Sequence, residues 1–272
     1  MRWNKLAPFL ILSTLLSVSV SASSIHTTDP RLEVAKGNDG VAFLVNKFGH
    51  NSDVDAPNEV VSSTAAYWQP IAASALEFIA GATDTAAGVG CQNVCIQGLD
   101  ENYNRVTECE DSIGVSASTA TTATYTRVYR AWCDRAGTYG GNNVGIVTMR
   151  ISGGGATVAI IELGSGQTEI AAYSVPAGFT CYGRNYQYTC DEVSAGVEGL
   201  FFGYFNIDDV VTPFSGAKRL FVHLANISGP GAGARVSEMP YAIPEKTDIV
   251  CTAAAGSNSE VSCTFELECY PN

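Results

Sequence analysis

With 272 residues the chain can bury one large β core or two small ones, and its formal charge of -12, with 15 scattered Lys and Arg, excludes a nucleic-acid partner that needs clustered cations. Only 15% of the residues are charged and 46% are hydrophobic, with Gly, Ser, Thr and Val plentiful and Lys and Leu sparse. Long amphipathic helices lack their usual ingredients here, so an all-β chain is expected.

Arg2 and Lys5 precede an apolar run over residues 6–18, and Val20-Ser21-Ala22 supplies a small-residue cleavage site. That is the grammar of a signal peptide over residues 1–22. No later stretch reaches about 18 apolar residues, so no stable membrane span is expected once the leader is removed. Residues 23–45 read as an N-terminal arm, irregular through Pro30 and ending in a short strand over 40–48. That strand is expected to run into a turn at 47–54, where Gly49, Asn51 and Asp53 punctuate the chain. Tyr67 and Trp68 sit beside Pro70. Core packing is the ordinary fate of such rings, and stacking on a sugar is the functional alternative. Residues 75–79 then resume an extended apolar run.

Two extended segments, 89–99 and 105–113, flank Asp100-Glu101-Asn102-Tyr103-Asn104. Asn and Asp bond their own backbone and tolerate left-handed geometry, so the linker predicts the turn of a β-hairpin. Residues 116–124 are Ser, Thr and Ala with little bulk, a loop or thin edge. In the strand expected over 124–132, Tyr125, Arg127 and Tyr129 alternate with Val128, Arg130 and Trp132, so large side chains fall on both faces. A Gly/Asn loop at 137–143 and a strand over 144–151 follow.

Ser152-Gly153-Gly154-Gly155 interrupts the pattern and marks a boundary between a first β module at 46–151 and a second at 156–272. Strands are expected at 156–163, 168–175, 179–182, 197–207, 218–224, 235–239, 248–252 and 261–267. Short strands separated by Gly, Pro and Asn predict antiparallel β-sandwich or jelly-roll-like modules.

The nine cysteines, at positions 91, 95, 109, 133, 181, 190, 251, 263 and 269, fit an oxidising compartment. Cys91 and Cys95 on one strand lie roughly 13 Å apart at about 3.3 Å per residue, beyond the roughly 7 Å limit for a bridge. Folding the hairpin about Asn102 sets Cys95 opposite Cys109, and folding the last hairpin about Ser257 sets Cys251 opposite Cys263. Cys181 and Cys190 could close the loop between them. No Cys or His spacing fits zinc.

With these segments named, the chain resembles a family of virion structural proteins of tailed bacteriophages, particularly marine ones. The resemblance is carried by Lys47-Phe48-Gly49-His50-Asn51, Asp84-Thr85-Ala86-Ala87-Gly88, Ile96-Gln97-Gly98-Leu99-Asp100, Arg127-Val128 and Asn143-Val144-Gly145. Later come Gly166-Gln167-Thr168, Tyr173-Ser174-Val175-Pro176-Ala177-Gly178 and Pro244-Glu245-Lys246-Thr247-Asp248-Ile249. The motifs read as turn punctuation that carries fold, not chemistry. The leader and the many cysteines depart from that family's pattern.

Catalytic groups are scarce. The histidines are His26, His50 and His223, and no Gly-x-Ser-x-Gly elbow accompanies them. Gly229-Pro230-Gly231-Ala232-Gly233 lacks the Lys-Ser/Thr ending of a phosphate loop. Asp191-Glu192 and Asp208-Asp209 lack the spacing of a calcium loop. No catalytic residue, cofactor or metal is expected. The resemblance implies a non-enzymatic accessory or decorating capsid protein in a phage-like virion, whose partners are other virion subunits or its own copies. The alternative is a secreted or cell-surface β-sandwich binding protein that recognises carbohydrate through surface aromatics, Tyr67, Trp68 and Tyr186.

Overall fold

The computed structural model describes residues 34, 42–68, 70, 72–138, 142–191, 197–205, 217–227, 232–237 and 241–272. The expected leader, most of the expected arm, His26 and Asp208-Asp209 lie outside the described residues. The regular elements that enclose the core are β-strands, and every strand pairing is antiparallel.

One sheet runs β1 (Phe43–Val54), β17 (Ser259–Pro271), β11 (Phe179–Asp191) and β14 (Ala232–Ser237), with β15 (Ala242–Ile243) also on β11. A second runs β10 (Ala172–Ser174), β16 (Asp248–Ala254), β12 (Val197–Phe205) and β13 (Ala217–Ile227), with β2 (Glu59–Val60) on β16. A third runs β6 (Thr124–Tyr125), β3 (Ser74–Ile79), β8 (Val147–Ile151) and β9 (Thr157–Ile161). The fourth is β5 (Arg105–Asp111), β4 (Cys91–Leu99) and β7 (Arg127–Ala136). One contiguous apolar core, from Val45 to Cys269 in sequence, joins side chains of all four sheets.

The hairpin β4–β5 turns at Asp100, whose Oδ1 accepts from the Asn102 and Asn104 amides at 2.8 Å each, while Tyr103 takes φ 60°. That side-chain turn is what the Asp/Asn composition calls for.

The turn expected at 47–54 is instead part of β1, which pairs with β17 from Phe43 to Asn51 and shifts register only before Val54. The polar residues there obey strand alternation, with Leu44, Asn46 and Phe48 outward and Val45, Lys47 and Asn51 buried. Gly49 is not a turn residue. A Cβ at that position would lie 2.1 Å from the Val61 carbonyl oxygen and 2.2 Å from the Ala171 nitrogen. The glycine lets two neighbouring backbones close on the strand.

The glycine run is a hairpin turn within one sheet and does not separate strands into different modules. Strands β8 and β9 pair across it, with Gly153 at φ 85° and Gly154 at φ 79°. Glu77 on the adjacent β3 accepts from both of those amides, at 3.0 and 3.1 Å, and from Arg150 at 2.8 Å. Pairing of β1 with β17 likewise places strands from either side of residue 155 in one ladder.

The small-residue stretch at 116–124 has no strand of its own before β6, yet it seals β3. The Leu76 amide donates to Thr121 Oγ1 at 2.9 Å and the Phe78 amide to Ser118 Oγ at 3.0 Å. Short hydroxyl side chains do here what a ladder would do elsewhere.

Candidate functional site

The disulfides set the frame. Cys95 is bonded to Cys109 within the β4–β5 hairpin, and Cys91 to Cys133. Cys251 is bonded to Cys263, but β16 and β17 lie in different sheets, so this bond joins two sheets instead of closing a hairpin about Ser257. The expected Cys181–Cys190 pair is not formed. Both residues lie on β11, which runs unbroken from Phe179 to Asp191. Nine residues of strand separate them by about 30 Å. Cys181 faces Cys269 across the β11–β17 ladder and is bonded to it, while Cys190 is buried and in no disulfide.

Of the three aromatics expected to form a sugar platform, Tyr67 and Tyr186 are not at the surface. Tyr67 is buried, with its hydroxyl 3.0 Å from Ser174 Oγ. Tyr186 is buried and stacked on Phe201 with ring centroids 5.0 Å apart, and Trp68 packs half-buried against the core. Tyr186 takes the core-facing side of β11, while Tyr67 and Trp68 precede β3 and pack against the same core.

A buried polar cluster around Arg127 and Asp248 is sealed from solvent. Arg127 Nε and Nη2 donate to the two oxygens of Asp248 at 2.8 and 3.0 Å, and neither side chain is exposed. Arg127 also donates to the Thr126 carbonyl at 2.8 Å and the Tyr103 hydroxyl at 3.0 Å, and Asp248 accepts from Ser174. Hydrogen bonds to Asp248 hold the Arg127 guanidinium above its ordinary range despite the burial that opposes charge. Each guanidinium nitrogen has a partner within the protein and neither charged side chain is exposed, so the cluster ties elements of different sheets together.

The histidines fall on strand surfaces. His50 Nδ1 lies 3.0 Å from Ser262 Oγ and its Nε2 3.3 Å from Glu260, so a serine, a histidine and an acid meet across β1 and β17. The sequence hides this because the residues are far apart and His50 reads as a turn residue. The three residues stand on a ladder in which β17 is paired on both sides, with β1 and with β11. His223 pairs with Glu198 across β12 and β13.

What the structure does assemble at its surface is a cap of loops around Asp84. This residue is fully buried, and its carboxylate accepts four backbone amides: Cys91 at 2.7, Val144 at 2.8, Gly145 at 2.9 and Gly81 at 3.1 Å. Ser112 donates to the Asp84 carbonyl, the Gly114 amide donates to that same oxygen at 2.9 Å, and Thr85 bridges Ile113. The Asp84 carboxylate thus joins the 81–91 stretch to 144–145, and its main-chain carbonyl holds 112–114 beside them. Those loops carry Val115 at 72% exposure, Ile113 at 51%, Ile146 at 49% and Val89 at 46%. Large apolar side chains are thus held exposed to water on a fixed frame. Sequence reading registers Asp84 and Asn143-Val144-Gly145 only as separate punctuation, because their meeting is a long-range event.

No family model matches the chain, and no curated protein matches it. Among solved structures, the chain is similar to one titled "Structure of infectious bursal disease virus Gx strain" at 10% identity and a TM-score of 0.22, covering 84% of this chain and 72% of that one. It is similar to the VP2 subviral particle of infectious bursal disease virus at 9% identity and a TM-score of 0.18, covering 84% and 76%. A third, the T=1 particles derived from that virus, gives 9% identity and a TM-score of 0.11 over 85% and 79%. Likeness at these scores carries no argument about fold or role.

Proposed function

We propose that the protein is a non-enzymatic structural component of a phage-like virion, an accessory or decorating capsid protein that works through subunit contacts. The observation that supports this reading is the Asp84 cap, in which Val89, Ile113, Val115 and Ile146 stand exposed on loops bonded to the carboxylate or the main-chain carbonyl of one fully buried residue. A surface of that kind costs solubility unless a partner covers it. Four disulfides fit a protein that persists outside a reducing cytoplasm. Partners are other virion subunits or further copies of the chain.

The test is fractionation of purified particles with quantitative peptide mass spectrometry. The protein is expected to co-sediment at a fixed copy number, and Ile113→Asp with Val115→Asp is expected to release it into the free fraction while its thermal midpoint is unchanged. Recovery of the unsubstituted protein only as free protein, or equal retention of the doubly substituted one, overturns the proposal.

A further inference from the structure

Among the described residues, Arg127, Arg135, Arg150 and Arg184 are each paired with a carboxylate. Lys47, Arg105 and Arg130 have no carboxylate partner, and in a chain of formal charge -12 all three line one cleft. The cleft lies where β1 passes the β5–β4–β7 sheet. It consists of two cavities, about 90 and 340 Å³, that share Asn46, Lys47 and Arg130 as walls.

The cations are held by rings and amides. The Arg105 guanidinium stands 4.2 Å from the Phe43 ring centre, and that of Arg130 stands 5.1 Å from Trp132. Arg130 also donates to Gln167 Oε1 at 3.2 Å. Arg105 also hydrogen-bonds the Tyr129 side chain; a guanidinium carries five N–H donors, so one such bond and an aromatic face leave others to meet an oxyanion. Lys47 is buried, donates to the Tyr129 carbonyl and lies 5.7 Å from that ring. An ammonium has three donors, so that bond leaves capacity for a ligand. Burial pushes the Lys47 amine down to about 7, with repulsion from Arg130 adding to it. A buried cation without a counter-charge is costly, and a bound anion offsets that cost.

The remaining walls choose among anions. Asn46, Gln97 and Gln167 each present an amide that donates and accepts, which suits neighbouring hydroxyls and is wasted on a bare inorganic ion. The larger cavity, about 340 Å³, falls at the small end of ligand pockets, enough for a single sugar ring. Glu266, opposite Asn46 in the ladder, lines the cavity on the far side with Arg184 and Glu268. An extended polyanion running past Asn46 would meet those carboxylates.

We propose that this cleft binds an acidic saccharide, a hexose unit bearing a carboxylate or sulfate, with the oxyanion among Lys47, Arg105 and Arg130 and the hydroxyls on Asn46, Gln97 and Gln167. The inference rests on the cleft alone and is independent of whether the protein rides on a particle.

Isothermal titration of the full mature chain at low ionic strength tests it, with glucuronate, a 6-sulfated hexose, glucose and inorganic sulfate as probes. At least one acidic sugar is expected to bind about tenfold or more tighter than glucose and than sulfate. Whichever binds identifies the acid group. Arg105→Gln and Arg130→Gln are each expected to weaken that binding about tenfold or more with an unchanged melting temperature. Absence of binding, equal affinity for glucose, sulfate binding as tightly as the sugars, or indifference to both substitutions overturns the proposal.

Discussion

Replacing Arg127 by Met tests whether the sheets are held in register by the sealed ion pair. The guanidinium makes two bonds to Asp248, one to Thr126 and one to Tyr103, with no exposed surface on either charged side chain. Met fills similar volume but leaves the Asp248 carboxylate buried without its counter-ion. Breaking a buried pair from one side costs about 3–5 kcal/mol. For a chain of this size that corresponds to a fall of roughly 6–20 °C in the thermal midpoint. Replacing both partners by apolar residues removes the orphaned charge, so Arg127→Met with Asp248→Leu should lose less than the sum of the single substitutions by about 2 kcal/mol or more. Guanidinium unfolding with disulfides intact, followed by near-ultraviolet circular dichroism, measures all three variants. A loss below about 1 kcal/mol for Arg127→Met, or strict additivity in the double variant, refutes the reasoning.

Gly49→Ala is expected to cost about 3 kcal/mol or more, or to abolish soluble yield, because its methyl would meet the backbone of Val61 and Ala171 at 2.1 and 2.2 Å; an unchanged melting curve contradicts the close approach. Removing the Cys181–Cys269 bridge, which spans 88 residues, should cost about 4.6 kcal/mol against about 3 kcal/mol for the 14-residue Cys95–Cys109 bridge, as read from paired Cys→Ala variants in denaturant. In the same protein, alkylation before and after unfolding should label Cys190 only once the fold opens, since it is buried and in no disulfide. Lys47 has its amine lowered from 10.5 to about 7 in the folded chain, so across that window the unfolded state holds a proton that the native state has released. Its contribution to stability therefore rises with pH, by roughly 2 kcal/mol between about pH 7 and about pH 9, and Lys47→Met should flatten that rise in urea titrations.

The all-β class was legible because strand periodicity and turn chemistry are local. Asp100 and Asn104 announced their own turn, and that turn fixed Cys95 opposite Cys109. Residues 47–54 misled for the same reason, since Gly49 and Asn51 look like punctuation until the Val61 and Ala171 backbones that crowd them are known. The spacing argument that separates Cys91 from Cys95 applies equally to Cys181 and Cys190, once β11 is seen to run through Asp191. The cap, the cleft and the sealed pair are beyond reach of a linear reading. Arg127 and Asp248 stand 121 positions apart, and Asp84 meets Val144 across 60. Nothing in either neighbourhood records the other.

Strand β17 lies between β1 and β11, so the first strand described and the last are ladder neighbours. During synthesis β1 emerges long before β17, its ladder partner among the described residues, so that sheet cannot close until β17 has been made. A chain arranged in this way keeps β1 unpaired until β17 is free to join it, and thiol oxidation between Cys181 and Cys269 can then lock β17 to β11.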